Sequence, residues 1–449
     1  MQKRQFPKDF LWGTATSAYQ VEGAALDGGR GRSIWDTFSR TPGMVRHGHT
    51  GDTGVDQYHR YEEDADLMAK LDLGAYRFSI SWPRILPEGR GAVNKAGIDY
   101  YKRLIGALHD RGIKAAATLY HWDLPQALED KGGWPHRQTA EAFAEYADLC
   151  FRELGSDVDM WITVNEPWCS AILGYLVGVH APGRKDRSAA YAAAHHLNVA
   201  HGMAVRKYRE RGLAAPIGTT LNLDTPEPAT SRPEDVAAAD RANDLRSLFF
   251  LDPVLGNPYP RRHLALYPEA KLPIQEGDRE LIATPIDFLG LNYYYSSRVA
   301  HADTKTAGPE QFREVVQFQE KTEMGWPITP FAFYRHLRWV SEKTGGKLPL
   351  YVTENGCAMP DELSRDGKRC HDPRRIAYMR DHLDVCLTAI EDGIDLRGYF
   401  AWSLIDNFEW AHGYTKRFGI VYADYVNQRR VPKDSFYYYR DVIAGNEWF

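Results

Sequence analysis

Two hydrophobic rhythms alternate along this chain. The first is short and nearly continuous, with eight apolar runs at residues 10–20, 75–82, 114–122, 160–166, 217–223, 287–294, 350–354 and 396–404. Runs of that kind, with little polar alternation, suit strands covered on both faces. The second recurs at three- and four-residue steps. Ile98, Tyr101, Leu104, Ile105 and Leu108 precede Gly112; Phe143, Tyr146, Cys150 and Leu154 precede Gly155; Ile376, Met379, Leu383, Cys386 and Ile390 precede Gly393. Apolar stripes closed by glycine are amphipathic helices. Strand followed by helix, repeated along the whole chain, predicts an α/β fold: a single (β/α)8 TIM barrel over residues 1–449. Long βα loops are expected at 28–54, 224–236 and 301–326.

Bulk composition narrows the function. With 43% hydrophobic residues the chain can bury a large core, and a net charge of −5 gives no electrostatic case for nucleic acid or an anionic membrane. No stretch approaches the roughly 18 apolar residues of a membrane span. The basic start, Met1-Gln2-Lys3-Arg4-Gln5, lacks the apolar core of a signal peptide, so a cytoplasmic protein is expected. The five cysteines lack paired spacing and are expected to be free thiols, with Cys169 and Cys357 as passive packing. The 12 Trp and 26 Tyr supply flat faces suited to sugar rings, and exposed aromatics leave room for a homo-oligomer.

In a barrel the C-terminal strand ends converge on one face, where catalysis sits. Those ends carry Gln20 and Glu22, Arg77 and Trp82, His121 and Trp122, Asn165 and Glu166, Asn292 and Tyr294, Glu354, then Trp402 followed by Asn407, Glu409 and Trp410. A carboxylate near a buried strand end is costly unless paired or used, and two strands each deliver one. Carboxylates, amides, a histidine and tryptophans together describe a carbohydrate pocket.

Four runs sharpen this reading: Phe10-Leu-Trp-Gly-Thr-Ala-Thr-Ser-Ala-Tyr-Gln20, Thr163-Val-Asn-Glu-Pro-Trp168, Tyr351-Val-Thr-Glu-Asn-Gly356 and Trp402-Ser-Leu-Ile-Asp-Asn-Phe-Glu-Trp410. They resemble the motifs of family 1 glycoside hydrolases, the β-glucosidases, and the resemblance runs from Phe6 to about Tyr439. It implies a retaining enzyme acting on β-glucosides and short oligosaccharides, without cofactor or metal, with transglycosylation as a side reaction. Glu166 would be the acid/base and Glu354 the nucleophile, with their carboxyls about 5–5.5 Å apart. Arg77, Tyr294 and Asn292 would support them. Gln20, His121, Trp122, Asn165, Trp402, Glu409 and Trp410 would bind the sugar; Trp168, Leu173 and Trp326 would face the aglycone. Relatives that cleave 6-phosphorylated glucosides carry serine where Glu409 stands, so Glu409 implies a neutral sugar.

Other readings compete. A galactoside or fucoside preference is the alternative within enzymes; a non-catalytic sugar-binding barrel is the alternative outside them, and the presence of both glutamates opposes it. His47-Gly48-His49 has ligand-like spacing but no third ligand. His195-His196 lies in a helical pattern and reads as core packing or surface exposure, and Trp12, Trp35 and Trp161 read as core. Gly28-Gly29-Arg30-Gly31 follows no strand–helix junction that a phosphate loop would need.

Overall fold

A computed structural model describes residues 4–447; Met1-Gln2-Lys3 of the basic start lie outside them. Eight strands form a closed barrel: β1 (Leu11–Ala15), β2 (Ala75–Ser79), β3 (Lys114–Tyr120), β4 (Met160–Asn165), β5 (Ile217–Leu221), β6 (Phe288–Asn292), β7 (Leu350–Asn355) and β8 (Leu396–Trp402). They join in chain order, each parallel to both neighbours. The striped segments are helices over Lys95–His109, Arg137–Leu154 and Pro373–Glu391, with their apolar residues turned inward. Gly112 and Gly393 sit just past their helices at φ 73° and 89°, the left-handed turn glycine permits.

Period-two alternation explains how one strand face holds both floor and site. Ala75 and Arg77, Ala116 and Thr118, Phe288 and Asn292, and Phe400 and Trp402 share faces pointing into the barrel. The lower members pack together with Ala15, Met160 and Ile162 as an apolar plug. A β-carbon at Gly13 would collide with the Phe400 ring, and one at Gly218 with Phe288, so glycine there makes room for the aromatic floor. Above the plug the same faces turn polar.

The pairing slips on the two strands that bear the glutamates, β4 and β7, the latter against both of its neighbours. Pairing of β4 with β5 shifts register between Ile162 and Asn165, and pairing of β7 with β6 shifts between Val352 and Glu354. Irregularities of this kind re-aim side chains near functional sites. Each lies immediately before one of the two glutamates.

Several strand ends differ from expectation. The first run stops at Ala15 and resumes as a helical turn, Ala18–Val21, closed by the Gln20 and Val21 N–H groups on the Ser17 carbonyl. The second ends at Ser79. Trp82 opens a helical turn whose next residue, Pro83, has no N–H for the ladder, and its indole packs against Trp134, Phe143 and Tyr146, away from the site. The loops after β5 and β6 are organised: Glu227–Pro228 and Phe312–Glu314 pair on either side of Arg298–His301. Arg246 clips this small sheet to the barrel through Asp224 (2.9 Å) and Glu314 (2.7 Å). His195 and His196 are core residues, and His195 bonds Asp278 and Tyr259. His49 accepts the Tyr414 backbone N–H, a structural task.

Candidate active site

The cavity at the C-terminal end of the barrel holds about 630 Å³. Both glutamates open into it, as do His121, Trp122, Asn292, Tyr294, Trp402, Glu409 and Trp410. Trp168, Leu173 and Trp326 line it too, and Trp326 stacks on Tyr295 at 5.4 Å. Three residues here, Trp122, Glu166 and Trp410, take positive φ (76°, 46° and 44°), a conformation unfavourable for any side chain and held by surrounding packing. Gly356 is required by close approach, because a β-carbon there would strike the Trp402 carbonyl.

Glu354 sits between charged and neutral donors. Arg77 reaches its Oε1 at 2.6 Å and Tyr294 its Oε2 at 2.7 Å. The Arg77 guanidinium also donates to the Thr353 carbonyl (3.0 Å), Asn165 Oδ1 (2.6 Å) and Thr118 Oγ1 (3.2 Å), so it cannot swing away. Burial pushes the Glu354 pKa up, and Arg77, Tyr294 and Asn292 pull it back.

Glu166 has no cation in hydrogen-bond reach. Its Oε1 accepts from Asn292 Nδ2 at 2.5 Å and its Oε2 from the Cys169 thiol at 3.1 Å. Burial first, then the neighbouring Glu354 charge, raise its pKa to about 8. Of the two, Glu166 is the less favoured as an anion, because a guanidinium faces Glu354 and only neutral donors face Glu166.

Asn165 orders the rest. Its Oδ1 accepts from Arg77 and Asn292 (3.1 Å), so its Nδ2 faces His121 Nε2 at 3.2 Å. That pattern makes Nε2 an acceptor and assigns the ring proton to Nδ1. Burial and nearby Arg77 hold His121 neutral, well below the usual histidine range. His121 lies nearly parallel to Trp402 and Trp410, each 5.9 Å away.

Three expected sugar contacts are also tied to partners within the protein. Gln20 is fully buried: it donates to Asn407 Oδ1 (3.0 Å) and the Phe408 carbonyl (2.9 Å) and accepts from Ser17. It anchors the loop that presents Glu409, rather than the cavity surface. Asn165 is likewise enclosed by its own partners. Trp122 reaches the cavity, but its indole N–H is engaged with the Asn165 carbonyl at 3.0 Å.

Glu409 is the opposite case. It is buried beside both glutamates, no side chain among the described residues hydrogen-bonds its carboxyl, and burial with those charges raises its pKa to about 8. Burial without a donor thus disfavours its anion. Asn222, His180 and Tyr295 also line the cavity. Cys169, buried as expected, also touches Glu166 through its thiol. Two signals pointed to these: Asn222 directly follows β5, and Cys169 lies one helical turn past Glu166.

The chain matches Glycosyl hydrolase family 1 over residues 2–448. It is 46% identical to beta-glucosidase A of Acetivibrio thermocellus, covering 99% of this chain and 100% of that one. It is 45% identical to the bifunctional beta-D-glucosidase/beta-D-fucosidase of Bifidobacterium breve, covering 98% of each. The family 1 β-glucosidase of Thermotoga maritima in complex with isofagomine lactam superposes with a TM-score of 0.95 at 46% identity, over 99% of this chain and 100% of that one. With a closed eightfold barrel and a match across nearly its whole length, the chain belongs to glycosyl hydrolase family 1.

Proposed function

We propose that the protein is a retaining β-glucosidase, cleaving terminal β-D-glucosyl residues from aryl glucosides, cellobiose and short oligosaccharides. The observation that carries the reading is the asymmetry of the two carboxyls: Glu354 lies against Arg77 and Tyr294, while Glu166 sits among neutral donors. Glu354 attacks the anomeric carbon. The bond to the aglycone oxygen breaks, and that oxygen takes the proton of Glu166. The covalent ester removes the Glu354 charge, so Glu166 ionises more readily and draws a proton from water. The water oxygen bonds to the anomeric carbon, the ester breaks, and both carboxyls return to their starting states. An alcohol or second sugar replaces water in transglycosylation.

Trp402 and His121 offer parallel faces for the ring, and the His121 Nδ1–H, Glu409 and Asn292 are the polar groups for its hydroxyls. Arg77 and Asn165 act behind them, fixing Glu354 and His121. Trp168, Leu173 and Trp326 form the aglycone side. Among the cavity-lining residues Arg246 is the sole formal cation, and it is bound by Asp224 and Glu314; a 6-phosphate would find no free cation to pair with. The bifunctional relative supports fucoside cleavage as a second activity.

The test is kcat/KM on aryl β-glucoside, β-galactoside, β-fucoside, 6-phospho-β-glucoside and cellobiose. Neutral glucosides and fucosides should turn over and the phosphorylated one should not. A phosphorylated preference removes the Glu409 reading, and sugar binding without turnover of any member removes the enzyme reading.

A further inference from the structure

The thiol of Cys169 is aimed. The backbone N–H of Cys169 donates to the Glu166 carbonyl at 3.0 Å, setting the cysteine one turn above the glutamate. Asn222 Nδ2 donates to its sulfur at 3.4 Å, and its S–H points at Glu166 Oε2, 3.1 Å away. The other carboxyl oxygen is fixed differently. Thr353 Oγ1 donates to Asn292 Oδ1 at 2.8 Å, so the Asn292 amide must present N–H to Oε1. An amide held that way cannot become an acceptor. A thiol can, because its hydrogen rotates about one bond. The acid proton of Glu166 therefore belongs on Oε2, and the S–H must turn aside whenever it is there.

We propose that Cys169 is a positioning residue for Glu166: its thiol, steadied by Asn222, donates to Oε2 only when Glu166 is ionised, and so favours the half of the cycle in which Glu166 acts as base. The inference rests on the acid/base reading above. The other groups around Glu166 are Glu354 from β7, Arg77 from β2, Asn292 and Tyr294 from β6 and its loop, neutral His121 after β3, and Glu409 after β8; Tyr294 and Glu409 both feel the Glu166 charge. Cys169 alone among them changes its hydrogen bond with the charge of Glu166 by rotating one hydrogen. Burial and the two glutamates hold its own pKa well above the usual thiol range, so it stays a donor and never competes as a charge.

The experiment compares pH profiles of wild type, Cys169→Ser and Cys169→Ala. The basic limb of kcat/KM on 4-nitrophenyl β-glucoside reports loss of the acid form of Glu166. The acidic limb of kcat on 2,4-dinitrophenyl β-glucoside, whose leaving group needs no proton, reports gain of the base form in the glycosyl-enzyme. Alanine removes the donor and should move both limbs up by about half a pH unit; serine, a stronger donor of the same shape, should move them down. Opposite displacements support the proposal. Limbs that stay in place, or move the same way in both variants, overturn it, and an alanine variant that fails to fold leaves serine against wild type to decide by direction. Failure of the underlying reading looks different: Glu166→Ala would then keep the wild-type profile.

Discussion

Glu166 and Glu354 start alike. Each ends a parallel strand, each follows a slip in pairing register, and each is almost wholly buried. Their surroundings then part. Glu354 meets a guanidinium locked by three further acceptors, and Glu166 meets an amide and a thiol. The strand delivers a carboxyl, and side chains from other strands decide its proton. The lesson is that Arg77 on β2, across the barrel wall, does more to separate the two glutamates than anything in their own motifs.

That contrast can be broken from either side. Glu354→Ala removes the ionised partner and should lower kcat by at least about 10³-fold, with no burst from an activated aryl glucoside; wild-type turnover would end the nucleophile assignment. Glu166→Gln should cut kcat/KM by about 10²–10³-fold for cellobiose but far less for 2,4-dinitrophenyl glucoside, whose departure needs no acid. Equal losses on both substrates would mean that Glu166 does not protonate the leaving group. Arg77→Met leaves both carboxyls in place and erases the asymmetry. The Glu354 pKa should rise, so the acidic limb of kcat/KM should move to higher pH with an activity loss of about 10²-fold; an unmoved limb would show that Tyr294 and Asn292 suffice.

The smallest effect concerns stability. Glu166 and Glu409 are raised to about 8 in the fold from an ordinary 4.5. The folded chain keeps protons there that the unfolded chain releases, so stability falls as pH climbs through that window. Glu409→Gln, neutral at every pH, should flatten this slope and raise Tm at pH 9 by about 1–2 °C relative to wild type. A slope unchanged from wild type would place the Glu409 proton elsewhere.

The sequence exposed the skeleton of this arrangement but not its wiring. Eight apolar runs and glycine-stopped stripes were enough for the barrel, because burial on both faces leaves a one-dimensional trace. Both glutamates could be placed because each sits at the C-terminal end of its strand. The register slips left no trace, since one displaced residue in a run of buried apolar positions looks like any other. Trp82 was misplaced because a strand end and the first turn after it read alike until Pro83 is given its weight. The internal partners of Gln20 and Asn165, Asn407 and Arg77, lie hundreds and tens of residues away, and no local pattern shows that an amide is already engaged. The contacts of Cys169 with Glu166 and Asn222 were hidden for the same reason, since Asn222 lies 53 residues away.

The aromatic floor laid by Phe288 and Phe400 turns the barrel into a vessel with one mouth. In such a vessel traffic is last in, first out. Under the proposed mechanism the glucosyl unit would enter ahead of its aglycone, the aglycone would depart before water arrives, and glucose would leave through the same opening. The enzyme cannot thread a chain and step along it. Each turnover would then empty the pocket, and the next would begin with a fresh encounter.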